Sequence, residues 1–206
     1  MAAADSPKRP YHHGNLRAVL LEAALAEIAE RGPQALSLRE LARRAEVSHA
    51  APAHHFGDKA GLLTAIAAEG FRRLAVVLGR ARDSGAFLDV GLAYVRFAVD
   101  ERPYFEVMFR PDLYRRDDPA VVTAQAETAR LLYAPAHEAF PEADTIRTGI
   151  AGWAFVHGFA SLWLGGNLEA LGDDPVSAAR AVAPALFAPS ARPPASAGGG
   201  AGAKDR

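Results

Sequence analysis

The sequence predicts an all-α protein. Alanine, leucine, arginine and glutamate recur throughout the 206 residues, whereas runs of β-branched residues are scarce, and this balance favours helices. Apolar residues also return at intervals of three and four, and Gly or Pro separates the resulting segments. Half of the residues are hydrophobic, so a sizeable core can be buried. We therefore expect an N-terminal three-helix bundle, followed by a larger C-terminal helical region.

The overall balance of residues excludes several classes of protein. The formal net charge is −1, so any nucleic-acid binding must use a local basic surface. The absence of cysteine excludes disulfides and thiolate metal sites. The polar N-terminus lacks the apolar run of a signal peptide, and the weakly polar stretch 150–166 is too short and too interrupted to span a membrane. A cytoplasmic protein without membrane contact is expected.

The first predicted helix runs from Asn15 to about Arg31. Asn15 is a suitable N-cap, and Gly32-Pro33 ends the helix. One face of this helix is apolar, at Leu16, Leu20, Ala23, Ala24 and Ile28. The acidic residues are expected on the opposite face, at Glu22, Glu27 and Glu30. Residues 1–14, which precede the helix, are expected to form a flexible basic arm.

The next segment, SLRELARRAEVSHAAPAHHFGDK from Ser37 to Lys59, predicts two short helices around a tight turn. Ser37 and Glu40 have the spacing of a capping box, and Ser48 is a candidate cap for the second helix. Two short helices joined by three or four residues can place the second helix in the major groove of DNA. The segment therefore predicts a helix-turn-helix that binds DNA.

Longer helices follow. The first is predicted from Lys59 to Arg82 with Asp58 as its N-cap, and at 1.5 Å per residue it would be roughly 35 Å long. Further helices are predicted between Pro and Gly breaks, at 86–101, 103–110, 119–139, 143–165 and 175–187. Pro135 should kink or shorten the helix that contains it. The low-complexity residues 189–206 are expected to form a disordered tail.

Several motifs resemble the TetR (tetracycline-repressor-like) family of bacterial transcription regulators. They are YHHGNLRAVLLEAALAEIAERG, LSLRELARRAEVS and HHFGDKAGLL, within residues 11 to about 75. PYFEVMFRP and GWAFVHGFASL further resemble a subgroup with a Trp-x-x-x-His-Gly signature, here Trp153, His157 and Gly158. The resemblance implies a homodimer with a DNA-binding domain (15–60) and a ligand-binding and dimerisation domain (61–188). It also implies repression from a palindromic double-stranded operator and release by a small-molecule effector.

The same resemblance assigns DNA contacts to residues of the matched motifs: Ser37, Ser48, His49, Ala50, Ala51, His54, His55 and Lys59. Some positions depart from the family pattern. Ala53 stands where a Tyr is usual, His54 stands where Arg is common, and Glu46 replaces the usual Gly of the turn. These departures leave an alternative open, in which the protein is a ligand- or protein-binding module of TetR fold with weakened DNA binding.

Aromatic residues in the C-terminal region predict a ligand pocket. The candidate lining residues are Phe97, Phe105, Met108, Phe109, Trp153, His157 and Trp163. Few charges accompany them, so an apolar or aromatic effector is expected, although aromatic spacing alone does not distinguish a pocket from plain core. His157 is either a core or interface histidine or a polar group in the pocket. Small residues on the same helix suit a dimer interface: Gly149, Ala151, Gly152, Gly158 and Ala160.

Metal, cofactor and catalytic chemistry are not predicted. His49, His54 and His55 lack the i,i+4 spacing that helical metal pairs prefer. The sequence contains no G-x-S-x-G elbow, no H-E-x-x-H motif and no phosphate-binding glycine loop. A small helical enzyme that uses His157 is the weakest of the alternatives, so we expect a protein that is not an enzyme.

Overall fold

The computed structural model describes residues 16–140 and 144–187, and the regular structure within these ranges is helical throughout. The predicted all-α fold is therefore confirmed. The predicted arm (1–14), the proposed cap Asn15 and the predicted tail (189–206) lie outside the described residues. No helix among the described residues has the length and apolarity needed to cross a membrane.

The helices follow the predicted order. The N-terminal bundle contains α1 (Leu16–Arg31), α2 (Leu38–Arg44) and α3 (Ala51–Phe56), and the long α4 (Lys59–Ser84) leads out of it. The C-terminal region contains α5 (Phe87–Asp100), α6 (Arg102–Met108), α7 (Pro119–Ala139), α8 (Thr145–Leu164), α9 (Pro175–Val182) and α10 (Pro184–Phe187). A short 3₁₀ turn, Glu169–Leu171, lies between α8 and α9.

Two prolines affect their predicted helices in different ways. The helix predicted over 175–187 is divided into α9 and α10, because Pro184 has no N–H to continue the hydrogen bonding and instead begins a new turn. By contrast, Pro135 does not shorten α7, which continues to Ala139. Pro135 is buried, so the packing of its ring accompanies the loss of one backbone hydrogen bond.

Glu27 does not lie on the polar face of α1, as the sequence had suggested. It is completely buried together with Leu20, Ala24 and Ile28. Its Oε1 accepts a hydrogen bond from Arg31 at 3.1 Å, whereas its Oε2 is buried without a partner among the described residues. The position follows the helical period, because residue 27 is seven after Leu20 and three after Ala24.

Helix α4 is the axis of the molecule. It is about 39 Å long at 1.5 Å per residue, and its most extensive packing is against α7. Its buried side chains form one continuous core with α5, α6 and α7, through Leu62, Leu63, Ile66, Phe71, Leu74 and Leu78. Helix α1 packs against α2 and α3 and also against α6. The N-terminal bundle is therefore in direct contact with the C-terminal region at two helices, α4 and α6.

Candidate nucleic-acid interface and ligand cavities

Ser37 marks the start of α2 but does not form the predicted capping box. Its backbone is extended at the N-cap position, yet its side chain accepts no hydrogen bond from the helix. Glu40 pairs instead with Arg43, whose Nε donates to the carboxylate at 2.9 Å. Consequently the hydroxyl of Ser37 lies exposed beside the first N–H groups of α2, where it could donate to a phosphate.

The turn after α2 has the backbone hydrogen bonds of a Schellman motif. The N–H of Val47 donates to the carbonyl of Ala42 at 3.0 Å, and the N–H of Glu46 donates to the carbonyl of Arg43 at 3.3 Å. Glu46 adopts a left-handed conformation, with φ of 53°. The turn therefore keeps the tight geometry for which glycine is the usual residue, at a steric cost of about 1–2 kcal/mol.

Helix α3 begins at Ala51, so the predicted cap at Ser48 is wrong. Ala50 occupies the N-cap position, and Ser48 contributes its carbonyl, which accepts from the N–H of Ala51 at 3.0 Å. Pro52 and Phe56 are buried and attach α3 to the bundle. The start of α3 consequently projects away from the core.

The residues with predicted DNA contacts differ in exposure. The exposed ones are Ser37, Ser48, His49, Ala50 and His54, and the half-buried ones are Ala51, His55 and Lys59. The rings of His54 and His55 meet edge to face, with centroids 5.5 Å apart. Lys59 Nζ donates to the backbone carbonyl of Gln34 at 2.6 Å. Ala53, at the position where the family pattern has a tyrosine, is exposed. All of these residues lie on or beside the helix-turn-helix.

The basic residues of α2 have different roles. Arg43 pairs with Glu40, and Arg44 makes two hydrogen bonds to Glu30, at 2.9 and 2.7 Å. Arg39 is exposed, and it forms no ion pair with any residue that the structure describes. Arg39 is not among the DNA contacts that the family resemblance assigns. The spacing of the acidic residues could have indicated it. Glu40 precedes Arg43 by three residues and pairs with it, and Glu30 pairs with Arg44, whereas Arg39 pairs with no described carboxylate.

The corner between α3 and α4 is tied to the C-terminal region. Asp58 caps α4 by accepting from the N–H of Gly61 at 2.8 Å. The guanidinium of Arg115, in the loop between α6 and α7, donates to both oxygens of the same carboxylate at 2.9 and 2.8 Å. A Cβ at residue 61 would overlap the carbonyl oxygen of Phe56, so only glycine permits α3 to end this close to α4.

A cavity of about 390 Å³, here called the proximal cavity, lies among α4, α5, α6, α7 and α8. Its lining residues are Phe71, Leu74, Tyr94, Met108, Phe109, Pro111, Tyr114, Gln125, Thr128, Ala129, Leu132, Tyr133 and Trp153. Phe109, Pro111 and Tyr114 belong to the end of α6 and the loop that carries Arg115. A ligand in this cavity would therefore touch the loop that holds Asp58.

The candidate ligand residues are divided by the structure. Met108, Phe109 and Trp153 line the proximal cavity. His157 and Phe105 lie behind this wall, since the ring of His157 is centred 4.6 Å from Phe109 and 5.3 Å from Phe105. Phe97 is buried in the core, and Trp163 stacks on Phe159 near the end of α8. These last two residues lie outside the cavity lining.

Tyr94, Trp153 and His157 form a chain of hydrogen bonds, in which Tyr94 and Trp153 line the proximal cavity and His157 lies behind them. Trp153 Nε1 donates to the hydroxyl of Tyr94 at 3.3 Å, and that hydroxyl lies 2.8 Å from His157 Nδ1. Burial lowers the pKa of His157 below its usual value of about 6.5 and raises the pKa of Tyr94. A neutral imidazole with Nδ1 unprotonated accepts from Tyr94, so each group of the chain has a partner.

A second cavity, of about 440 Å³ and here called the distal cavity, lies further from the N-terminal bundle, among α5, α7, α8 and α9. Aromatic rings and small side chains form its wall, including Phe87, Phe140, Phe155 and Val156. This cavity was not among the predicted sites. The small residues Gly149 and Gly152 also serve this region, because a Cβ there would lie 2.8 Å from Tyr133 and Phe87 respectively. These two glycines thus permit packing within the chain.

Comparison with known proteins places this arrangement in a family. The model of "Bacterial regulatory proteins, tetR family" matches residues 20–66, and the model of "Tetracyclin repressor-like, C-terminal domain" matches residues 87–186. The chain belongs to the TetR family. The two matches cover the helix-turn-helix with the start of α4, and then the region from α5 to α10, which supplies most of the lining of both cavities.

Individual proteins are similar to this chain in sequence or fold. A solved structure of a protein of unknown function from Rhodococcus sp. RHA1 is 35% identical, with a TM-score of 0.73, over 86% of this chain and 96% of that one. The TetR family transcriptional regulator PfmR from Thermus thermophilus shares the fold, with 23% identity, a TM-score of 0.60, and 79% and 93% of the two chains covered. The HTH-type transcriptional repressor Rv3405c from Mycobacterium tuberculosis is 41% identical over 64 residues, which is 31% of this chain and 34% of the repressor.

Proposed function

We propose that this protein is a homodimeric transcription regulator, which represses by binding a palindromic operator and releases the DNA when a small molecule binds. The observation that carries the proposal is the start of α3, where Ser48, His49 and Ala50 are exposed while Pro52 and Phe56 are buried. This is the arrangement in which a recognition helix presents its N-terminal residues to base edges in the major groove. Because its target is bacterial DNA, we place the protein in the cytoplasm.

Contacts with DNA phosphates would fix the position of the recognition helix α3 in the major groove. The exposed hydroxyl of Ser37 and the guanidinium of Arg39 lie at the start of α2, and Lys59 lies at the start of α4. Such groups position a protein on the duplex without reading its sequence. Arg43 and Arg44 contribute less, since carboxylates of the bundle already bind their guanidinium groups.

The proposed dimer interface is the exposed face of α8. Large apolar residues stand on it at Ile146, Ile150 and Leu162, with exposed fractions of 66%, 46% and 48%. Ala154 is exposed between them, and the space beside Gly158 is open. These positions recur every four residues and form one ridge, which a second copy of the same helix would cover.

The proposed switch runs from the proximal cavity through the loop between α6 and α7. A ligand against Phe109, Pro111 or Tyr114 would displace the loop and with it Arg115, which holds Asp58 at the start of α4. Two recognition helices must lie about 34–36 Å apart to enter successive major grooves. A ligand that binds the displaced state more tightly would lower DNA affinity by that difference in affinity.

A second candidate function is a TetR-fold binding module with weakened DNA affinity. Ala53 offers no hydroxyl to the DNA, and both Arg43 and Arg44 are engaged within the bundle. Such a protein would act through its ligand or through protein contacts.

Fluorescence anisotropy with the DNA upstream of the protein's own gene distinguishes the two functions. We expect sequence-specific binding that weakens as salt is raised. Lys59→Ala should weaken binding to all sequences and reduce the salt slope by about one unit, whereas His49→Ala should change the preferred bases. Arg130→Ala, on the exposed surface of α7, is the matched control and should bind like the wild type. If Lys59→Ala and His49→Ala both bound the operator with the affinity and base preference of the wild type, the assigned interface would be excluded.

A further inference from the structure

We infer that the effector site has two chambers and accepts an uncharged, elongated molecule, whose apolar part occupies the distal cavity and whose single hydrogen-bonding group lies in the proximal cavity. This inference rests on the proposed function, because it names the chemical class of the effector. Each cavity alone is within the roughly 300–1,000 Å³ range of small-molecule sites.

The two cavities adjoin. Leu132 on α7 and Trp153 on α8 line both of them, so these side chains lie between the chambers. Among the described residues, Trp153 makes one hydrogen bond, which its indole N–H donates to Tyr94 at 3.3 Å, and its ring packs against Phe109 and His157. That distance is long for an N–H···O bond, whose usual value is about 2.9–3.0 Å. A rotation of the indole would break this weak bond, replace the contacts with Phe109 and His157 by contacts with the ligand, and open the distal chamber to a ligand in the proximal one.

The lining of both chambers selects against charge. Among the described residues, neither lining includes Asp, Glu, Lys, Arg or His. An ionised carboxylate or ammonium placed there would lose its hydration without gaining a counter-ion, and this desolvation is far more costly than that of a hydroxyl or an amide. The effector should consequently be neutral along the whole length that it buries.

Hydrogen-bonding capacity is confined to the proximal chamber. The described lining of the distal chamber has no polar side chain other than the indole N–H of Trp153, which is used by Tyr94. In the proximal chamber, Thr128 donates to backbone carbonyls and Tyr114 donates to the carbonyl of Met108. Gln125 and Tyr133 also line this chamber, and neither the carbonyl oxygen of Gln125 nor the hydroxyl of Tyr133 has a hydrogen-bond partner among the described residues. The polar group of the ligand would bind them.

A series of decyl compounds tests the predicted charge selectivity on the full-length protein. We expect 1-decanol to raise the melting temperature by about 5–10 °C at a concentration 100-fold above its Kd. Decanoate and decyltrimethylammonium should bind at least about 100-fold more weakly. Equal or tighter binding of either charged compound would overturn the inference, because the head would then lie in solvent or find a charge that the linings do not contain.

A series of alcohols tests the second chamber. Each added CH₂ from 1-hexanol to 1-decanol should tighten binding about fourfold, since a buried methylene contributes about 0.8 kcal/mol. Leu88→Trp, which fills the distal chamber, should stop this gain beyond a short chain, whereas Ala129→Trp, which fills the proximal chamber, should weaken all members. If Leu88→Trp leaves the chain-length dependence unchanged while the variant melts cooperatively, the distal chamber is not used.

Tryptophan fluorescence tests whether the bound ligand extends from the proximal into the distal chamber. Trp153 and Trp163 are the two tryptophans of the chain, so Trp163→Phe leaves an emission that reports on Trp153 alone. Trp153 lines both chambers, so 1-butanol in the proximal chamber should change this emission only slightly, whereas 1-decanol, which must turn the indole to reach the distal chamber, should change it markedly. An unchanged emission with bound 1-decanol would overturn the partition. Operator binding is measured in parallel: decanol binding without release of DNA would refute the proposed switch and leave the two-chamber site intact.

Discussion

At the scale of single residues, Glu27 shows how position can override residue type. The helical period places residue 27 on the buried face of α1, but its carboxylate argues for the surface. The structure follows the period, and the carboxylate is buried with Oε2 unsatisfied among the described residues. An unsatisfied buried polar group costs about 1–3 kcal/mol. Arg31, its partner, is half exposed and loses little when the pair is removed.

We predict that Glu27→Leu stabilises the protein by about 1–3 kcal/mol, because an apolar side chain of similar volume removes the unsatisfied oxygen. Urea denaturation measures the change. Glu22→Leu, on the exposed face of the same helix, is the control and should alter the free energy of unfolding by less than about 0.5 kcal/mol. Destabilisation by Glu27→Leu would mean that the second oxygen has a partner in solution.

Glu46 gives a second prediction at this scale. Its left-handed backbone costs about 1–2 kcal/mol, and glycine removes that cost at an entropic loss of about 0.5–1 kcal/mol. Glu46→Gly should therefore raise the free energy of unfolding by about 0.5–1 kcal/mol, and the melting temperature by roughly 1–4 °C. Glu46→Ala loses the same side-chain contacts but keeps the steric cost, so it should bring no gain. An equal gain in both variants would assign the effect to the side chain.

At the scale of elements, most of the helices could be predicted because their signals are local. Asp58 followed by the apolar run of α4, and Asp117-Asp118 before Pro119 of α7, mark helix starts that the structure confirms. The failures also have local causes. Ser37 and Ser48 have the right residue type for caps, but neither side chain accepts the capping bond. Residue type alone does not determine where the hydroxyl points.

The corner between α3 and α4 depends on a contact that no local signal reveals. Asp58 and Arg115 are 57 positions apart in the chain, and their ion pair appears only when the loop after α6 reaches the bundle. Both side chains are more than half exposed, so the pair alone contributes about 0–1 kcal/mol. The cap formed by the same carboxylate contributes about 1 kcal/mol more.

We predict that Asp58→Ala destabilises the protein by about 1–2 kcal/mol, whereas Asp58→Asn, which keeps the cap and loses the ion pair, costs less than about 1 kcal/mol. Arg115→Ala should match Asp58→Asn, and the double variant should show that the two losses are not additive. Arg116→Ala is the neighbouring control, since its only described ion pair is a long one of 3.7 Å to Asp117. Additive losses in the Asp58→Asn and Arg115→Ala double variant would contradict the pairing in solution.

At the scale of the whole molecule, the site was less predictable than the fold. The exposed residues of α3 follow from one short stretch of sequence, whereas the cavities are assembled from α4 to α9. Aromatic spacing identified Met108, Phe109 and Trp153, but it could not separate them from Phe97, which is plain core. The distal cavity is lined by segments that are up to about 100 residues apart in the chain, so no local sequence pattern predicts it.

The proposed dimer gives the last prediction. Replacing Ile150 and Leu162 together by Arg places two charges on the exposed ridge of α8, where a second copy would have to bury them. The double variant should sediment as a monomer. Its affinity for a palindromic operator should fall by at least about 100-fold, because the two DNA-binding domains that occupy the half-sites are no longer linked to each other. The fold of each protomer should persist and the variant should still unfold cooperatively, since neither side chain belongs to the core.

Val122→Arg is the matched control for this experiment. Val122 on α7 is as exposed as the two α8 residues, at 50%, but it lies off the proposed ridge. This variant should remain a dimer and bind the operator normally. If Val122→Arg dissociates the dimer while the α8 double variant does not, the interface lies on α7. The recognition helices would then face each other in a different geometry, and their spacing on DNA would have to be derived from that face of the molecule.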